Sequence, residues 1–238
     1  KAVKYAERER QGRIYHLAVG YLGLCDQLMG NPKSAKVNFE KAIKYLHSRE
    51  DFRACAVLGN HQARLLASTK PASALRKLSA ARSSAEAGGH EDVRRHIIIS
   101  EVRVVLRNVA YSDHQIDYEA LKSAQSKLEG VIEYAQLMGI HSLECDAYLL
   151  RAKLLMEQNE TDTAGKNLIQ SIAIAKRNGM NLRLNSAITV YGDLLMRRGK
   201  LKAAERVLYE SLEMAKRNSH QTEVLKVQRQ LDHLFMRS

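Results

Sequence analysis

The chain has 238 residues, 45% of them apolar, 27% charged and 5% aromatic, a balance that excludes the disordered and fibrous classes and suffices for a substantial core. Thirty-eight Lys and Arg against 26 Asp and Glu leave a net charge of +12, which admits acidic peptides, nucleic acid or membrane headgroups as partners without choosing among them. No run of about 18 apolar residues is present to cross a bilayer, and Cys25, Cys55 and Cys145 lack CxxC spacing, so neither a disulfide framework nor a zinc knuckle is indicated.

Two prolines, three phenylalanines and no tryptophan argue against a many-turned sheet and for a chain that is mostly helix. In chain order, Lys1 to Arg10 is charged and unlike a signal segment, which with the odd, separated cysteines leads to an expected reducing location, cytosolic or nuclear. Ala2-Val3-Lys4-Tyr5 returns 40 residues later as Ala42-Ile43-Lys44-Tyr45, so the chain is expected to open near the end of a helix and to be a fragment of a longer protein. An Ala followed by a large residue at +4 and a small or branched one at +7 then marks five places: Ala35, Phe39, Ala42; Ala74, Leu78, Ala81; Ala124, Leu128, Val131; Ala164, Leu168, Ser171; Ala204, Leu208, Ser211. The steps between these alanines are 39, 50, 40 and 40, and +4/+7 spacing puts each trio on one helix face.

Upstream of these trios, other helical patterns end at Gly30, Thr69, Asn159 and Gly199, as the turn between antiparallel helices requires. Each unit is therefore predicted to be a helical hairpin, at about 14–50, 51–89, 90–139, 140–180 and 181–220, with 221–238 as a cap or the start of a further repeat. The third carries roughly ten extra residues, assigned to a loop near 109–118 around the polar stretch Tyr111 to Asp117. A fixed period of this size predicts an all-α solenoid.

Gly23, Gly30, Ala35, Phe39 and Ala42 in the first unit, and Gly192, Gly199, Ala204, Leu208 and Ser211 in the fifth, resemble the tetratricopeptide repeat (TPR) family in the order small, turn, Ala, large, small. The second unit is weaker, with Gln62 at the small position and Thr69 at the turn. The period is near 40 rather than 34, similar to the lengthened repeats of the Pins and kinesin light chain groups. The resemblance implies a single right-handed superhelical domain across the chain, a concave groove lined by the first helix of each unit, and a role as scaffold in a cytoplasmic or nuclear protein complex.

The residues offer little chemistry. The nine histidines are scattered, with no HExxH and no pair at ligand spacing beside a carboxylate cluster; Gly88-Gly89 lacks a GK[ST] sequel, and Gly20-x-x-Gly23 lies inside a helical pattern where glycine permits close helix contact. No GxSxG elbow occurs. Cys55 and Cys145 fall at the same place in their units, which favours packing over nucleophilic use. The expectation is a protein that is not an enzyme and has no cofactor or metal.

The resemblance also gives a groove to test. Chaperone-tail binders of the family hold a carboxylate with Lys, Arg and Asn at five positions, filled here by Gly20, Leu24, Asn60, His96 and Ser100, one match in five, so that use is disfavoured. The frame instead places Asn60, Arg103 and Arg107, Lys153 and Glu157, Asp193 and Arg197, then Lys226 and Arg229 toward the groove. The basic excess suits an extended, partly acidic peptide held by Arg forks, with Glu157 and Asp193 setting its register. For each of these the bland alternative is a solvated charge or an ion pair between repeats.

Nucleic acid is the alternative partner, motivated by the net charge and the basic runs at Lys1 to Arg13, Arg94-Arg95, Lys176-Arg177, Arg197-Arg198 and Lys216-Arg217. Against it stand the scarcity of aromatic platforms and the favourable placement of Lys176-Arg177 and Lys216-Arg217 at helix C-termini. A third reading is oligomerisation through solenoid ends, using Val3, Tyr5, Leu225 and Leu234.

Overall fold

The computed structural model describes residues 12–111 and 118–236, with side chains from 12 to 109 and from 118 onward. The described residues form eleven helices and no strand, in two compact units divided between Gln115 and Ile116. The first unit holds α1 (Gly12–Leu28), α2 (Pro32–His47), α3 (Phe52–Leu66), α4 (Pro71–Ala87) and α5 (Glu91–Tyr111). The second holds α6 (Tyr118–Leu137), α7 (His141–Glu157), α8 (Thr161–Arg177), α9 (Asn181–Arg197), α10 (Leu201–Arg217) and α11 (Gln221–Phe235).

Each unit is a stretch of all-α solenoid. Every helix packs on the next in its unit; in addition α1 touches α3, α3 touches α5, α7 touches α9 and α9 touches α11, so first-type helices stack on one another while second-type helices flank them. In the second unit the first-type helices begin at 141, 181 and 221, a step of 40. The predicted unit 90–139 straddles the division between the two units. Its extra length is partly helical: α5 and α6 have 21 and 20 residues, where the others have 15 to 17. The remainder of that predicted loop, 112–117, lies outside the described residues, as do Val3, Tyr5 and most of the basic run from Lys1.

Local chemistry explains the boundaries. The two prolines, Pro32 and Pro71, sit in the first turns of α2 and α4, where the missing N–H costs nothing. The chain reverses through residues of positive φ, for example Gly179 (63°) and Gly199 (70°), after which the Met180 N–H donates to the Ala175 carbonyl at 2.9 Å and closes the helix end.

The alanine, large and small trios are the packed face. Ala35, Phe39 and Ala42, and likewise Ala204, Leu208 and Ser211, are fully buried, each large side chain contributing about 1.5–3 kcal/mol by leaving water. Small residues on the opposing helix make room. A Cβ on Gly20 would sit 2.4 Å from Leu58 Cδ1, and one on Gly192 would sit 2.6 Å from Leu208 Cδ2. The buried Asp26 carboxylate ties α1 to α2 by accepting from Ser34 Oγ at 2.6 Å and Asn38 Nδ2 at 2.8 Å.

Candidate binding surface

The residues predicted to line a groove fall on the first-type helices α3, α5, α7, α9 and α11. Several of them are engaged with each other. The Arg197 guanidinium on α9 donates from Nη1 to the Met156 carbonyl at 2.9 Å and from Nη2 to Glu157 Oε1 at 2.8 Å, while its Nε stands 3.5 Å from Asp193 Oδ2. Glu157, Asp193 and Arg197 therefore form a strut between α7 and α9, the bland alternative named for them above. Lys226 donates to the buried carboxylate of Glu223 one turn earlier.

Lys153 is half-buried on α7, and Arg229 is exposed on α11. In the first unit Arg103 and Arg107 are exposed on α5, whereas Asn60 on α3 is half-buried and its Oδ1 is enclosed without a hydrogen-bond partner. Beside it, burial and then the Arg64 charge hold the His61 imidazole below its ordinary range.

Similar struts recur between successive first-type helices at nearly constant spacing. Arg13 Nε donates to Asp51 Oδ2 at 2.8 Å, Arg53 makes two bonds to Asp92 at 2.6 and 3.0 Å, and Arg183 makes two to Asp146 at 3.0 and 3.4 Å. Asp51 also caps α3 by accepting from the Ala54 N–H. A fork of two parallel bonds fixes orientation as well as distance, so these pairs set the register of one hairpin on the next. Sequence reasoning missed them, although Arg and Asp separated by 37–39 residues in a 40-residue repeat are a readable signal.

Two of the three thiols, Cys55 and Cys145, are buried in the packing. Cys55 is buried and its pKa is pushed up to about 11, first by burial and then by the Asp51 charge; Cys145 is raised for the same first reason and packs against Ser171, Sγ to Oγ 3.3 Å. Neither is poised as a thiolate at neutral pH. Met156 and Met196 are core residues, as is Leu234, which corrects its place among the exposed end residues; Leu225 is half-exposed.

Among the described residues of the first unit, two depressions stand out. One of about 240 Å³ separates α1 from α3, with Leu17, Tyr21 and Val57 as walls and the Arg13–Asp51 pair at its edge. The other, of about 380 Å³, runs across α3 between α2 and α4. None of the nine predicted site residues lines either one. The second was legible only as an unusual run of small residues in α4, Ala80, Ala81, Ser83, Ser84 and Ala87.

Among the described residues, no group of three or more His, Cys, Asp or Glu side chains is placed to hold a metal ion, and no helix is long and apolar enough to cross a membrane. No protein-family model matches the chain, and no curated protein matches it. Among solved structures it is similar to a circular tandem repeat protein with novel repeat topology and enhanced subunit contact surfaces, at 12% identity and a TM-score of 0.28, over 98% of this chain and 74% of that one. The stacked helices and the 40-residue step define a helical repeat protein.

Proposed function

We propose that this chain is a non-catalytic scaffold of the tetratricopeptide type that holds an extended, partly acidic segment of a partner protein within a larger complex. The observation that supports it most is architectural: in both units neighbouring helices bury their shared faces and leave a repeated outer surface, the arrangement by which helical repeats present extended binding area. The net charge of +12 supports an acidic partner, and exposed Arg107 and Arg229 are cations available to it.

The test is a pull-down with the chain as bait at low and high salt, reading protein and nucleic acid together, beside the paired variants Arg103→Glu with Arg107→Glu and Lys226→Glu with Arg229→Glu. A defined protein partner, weakened in one or both variants, is the expected result. Nucleic acid held at low salt and released at high salt, with no protein enriched, is the result that replaces this reading by the nucleic-acid one, because phosphate contacts are lost steeply with salt.

A further inference from the structure

The α2–α3–α4 depression differs from its counterpart in the second unit at nearly every position that matters. Counting by repeat register, Gly59 and Ala81 correspond to Thr189 and Ser211, which bond to each other at 2.7 Å and, through Ser211, to Asn185 Oδ1 at 2.6 Å. Ala80, Ser83, Ser84 and Ala87 correspond to Glu210, Glu213, Met214 and Arg217. The floor that α9 and α10 close with hydrogen bonds is paved in α3 and α4 with Gly59 against Ala81. There an added Cβ would stand 3.0 Å from the Ala81 Cβ. Small side chains on α4 then leave the space above open.

The second observation concerns Gln62, which lines this depression from α3. The residue is 2% exposed, no hydrogen bond joins its side-chain amide to another described residue, and neither amide atom is among those sealed from solvent, so the amide opens on the depression it lines. The fifth unit has Gly192 here, filled over by Leu208. An amide offers one donor group and one acceptor, the complement of a peptide group. Around it the walls are apolar, Ile43 and Phe52 among them, and Lys77 is the charged residue that lines the space, with no carboxylate. Among the described residues Lys77 pairs with no acid.

We infer that this depression is a peptide site: it takes an apolar side chain of a partner segment, pairs Gln62 with that segment's backbone amide, and holds a neighbouring Asp or Glu with Lys77. This rests on the scaffold reading and moves its acidic peptide from the first-helix face, where Arg197 is already paired, to the second-helix side of the first unit. The volume, about 380 Å³, falls within the range of small ligand sites.

The probe is the pentapeptide acetyl-Ala-Leu-Glu-Leu-Glu-amide, with its Gln-for-Glu counterpart as control, titrated against the whole chain by NMR. The expected result is a shift of the Gln62 side-chain amide and of α2 and α4 resonances, with the Glu peptide about three- to fivefold tighter, as one exposed ion pair allows. Lys77→Gln should erase that difference, and Ser84→Met, the second unit's residue, should block binding while the unfolding midpoint stays in place. No shift at Gln62 with millimolar peptide, or equal binding of the two peptides, overturns the proposal. A Ser84→Met bait that keeps its lysate partner overturns it too and leaves the scaffold reading standing. Peptide bound at Gln62 by a chain that recovers only nucleic acid from lysate does the reverse.

Discussion

The α3–α4 pair of the first unit and the α9–α10 pair of the second occupy the same place in the repeat and are closed by different chemistry. In α9–α10, Asn185, Thr189 and Ser211 form a buried network, with Thr189 also donating to the Asn185 carbonyl at 2.8 Å. In α3–α4 the same three places hold Cys55, Gly59 and Ala81, a weakly polar thiol and two residues with no polar side chain. A repeat frame therefore specifies how close two helices come, not what fills the contact. Hydrogen bonds fill it in one unit, and in the other small residues leave room for something else.

The largest break in that comparison is steric. Gly192→Val puts branched carbon where Leu208 Cδ2 and Cγ already lie 2.6 and 2.8 Å from a Cβ. Leu208 is fully buried and has nowhere to swing, so the cost is about 3 kcal/mol, the upper end for overpacking. Thermal unfolding should report it as a clear fall in midpoint, and an unchanged midpoint would mean that α9 and α10 are not in close contact.

Next comes the hydroxyl. Ser211→Ala leaves Asn185 Oδ1 and Thr189 without their shared partner, at about 1–2 kcal/mol for buried groups, whereas Ala81→Ser in the first unit adds a hydroxyl opposite Cys55, where the equivalent Ser171 donates to the Cys145 carbonyl at 3.0 Å. Denaturant unfolding should show Ser211→Ala destabilised and Ala81→Ser close to neutral. A neutral Ser211→Ala would show that the network is dispensable and would dissolve the contrast between the pairs.

The struts give a smaller, pH-dependent effect. The hydrogen bond from Arg53 holds the Asp92 carboxyl below its ordinary value of 3.8, with its own burial opposing and the Val93 N–H assisting. A carboxyl with a depressed folded pKa contributes stability that is present above its unfolded pKa and is lost as pH falls through the folded one. Arg53→Met should raise the Asp92 titration toward the ordinary value in an NMR pH series. No movement would mean that the fork is not formed in solution.

These contrasts divide what was legible in the sequence from what was not. The trios at +4 and +7 and the turn residues marked helices because helical packing repeats a covalent spacing, and Ala35, Phe39 and Ala42 needed no partner to be recognised. Arg197 was placed on the right helix, but whether a cation meets a ligand or a neighbouring carboxylate depends on rotamers and on the step between hairpins, which one-dimensional spacing does not hold. Gln62 was noticed as a departure at the small position. Its meaning needed the open floor beside it, and that arises from residues on three helices that meet only in the folded chain.

The smallest effect concerns the turns. Both units use left-handed residues to reverse the chain, and where the second has Gly179 and Gly199, other turns place side chains in the same conformation: Glu50 at φ 54° and Ser219 at φ 56°. An L-residue other than Asn or Gly is strained there by about 1 kcal/mol or more, partly offset in a glycine variant by the greater freedom of its unfolded chain. Ser219→Gly should therefore raise stability by about 0.5–1 kcal/mol without touching any core contact. Chemical denaturation reads this directly. A loss on Ser219→Gly would show that the serine side chain holds the α10–α11 turn by a contact worth more than the backbone strain it carries.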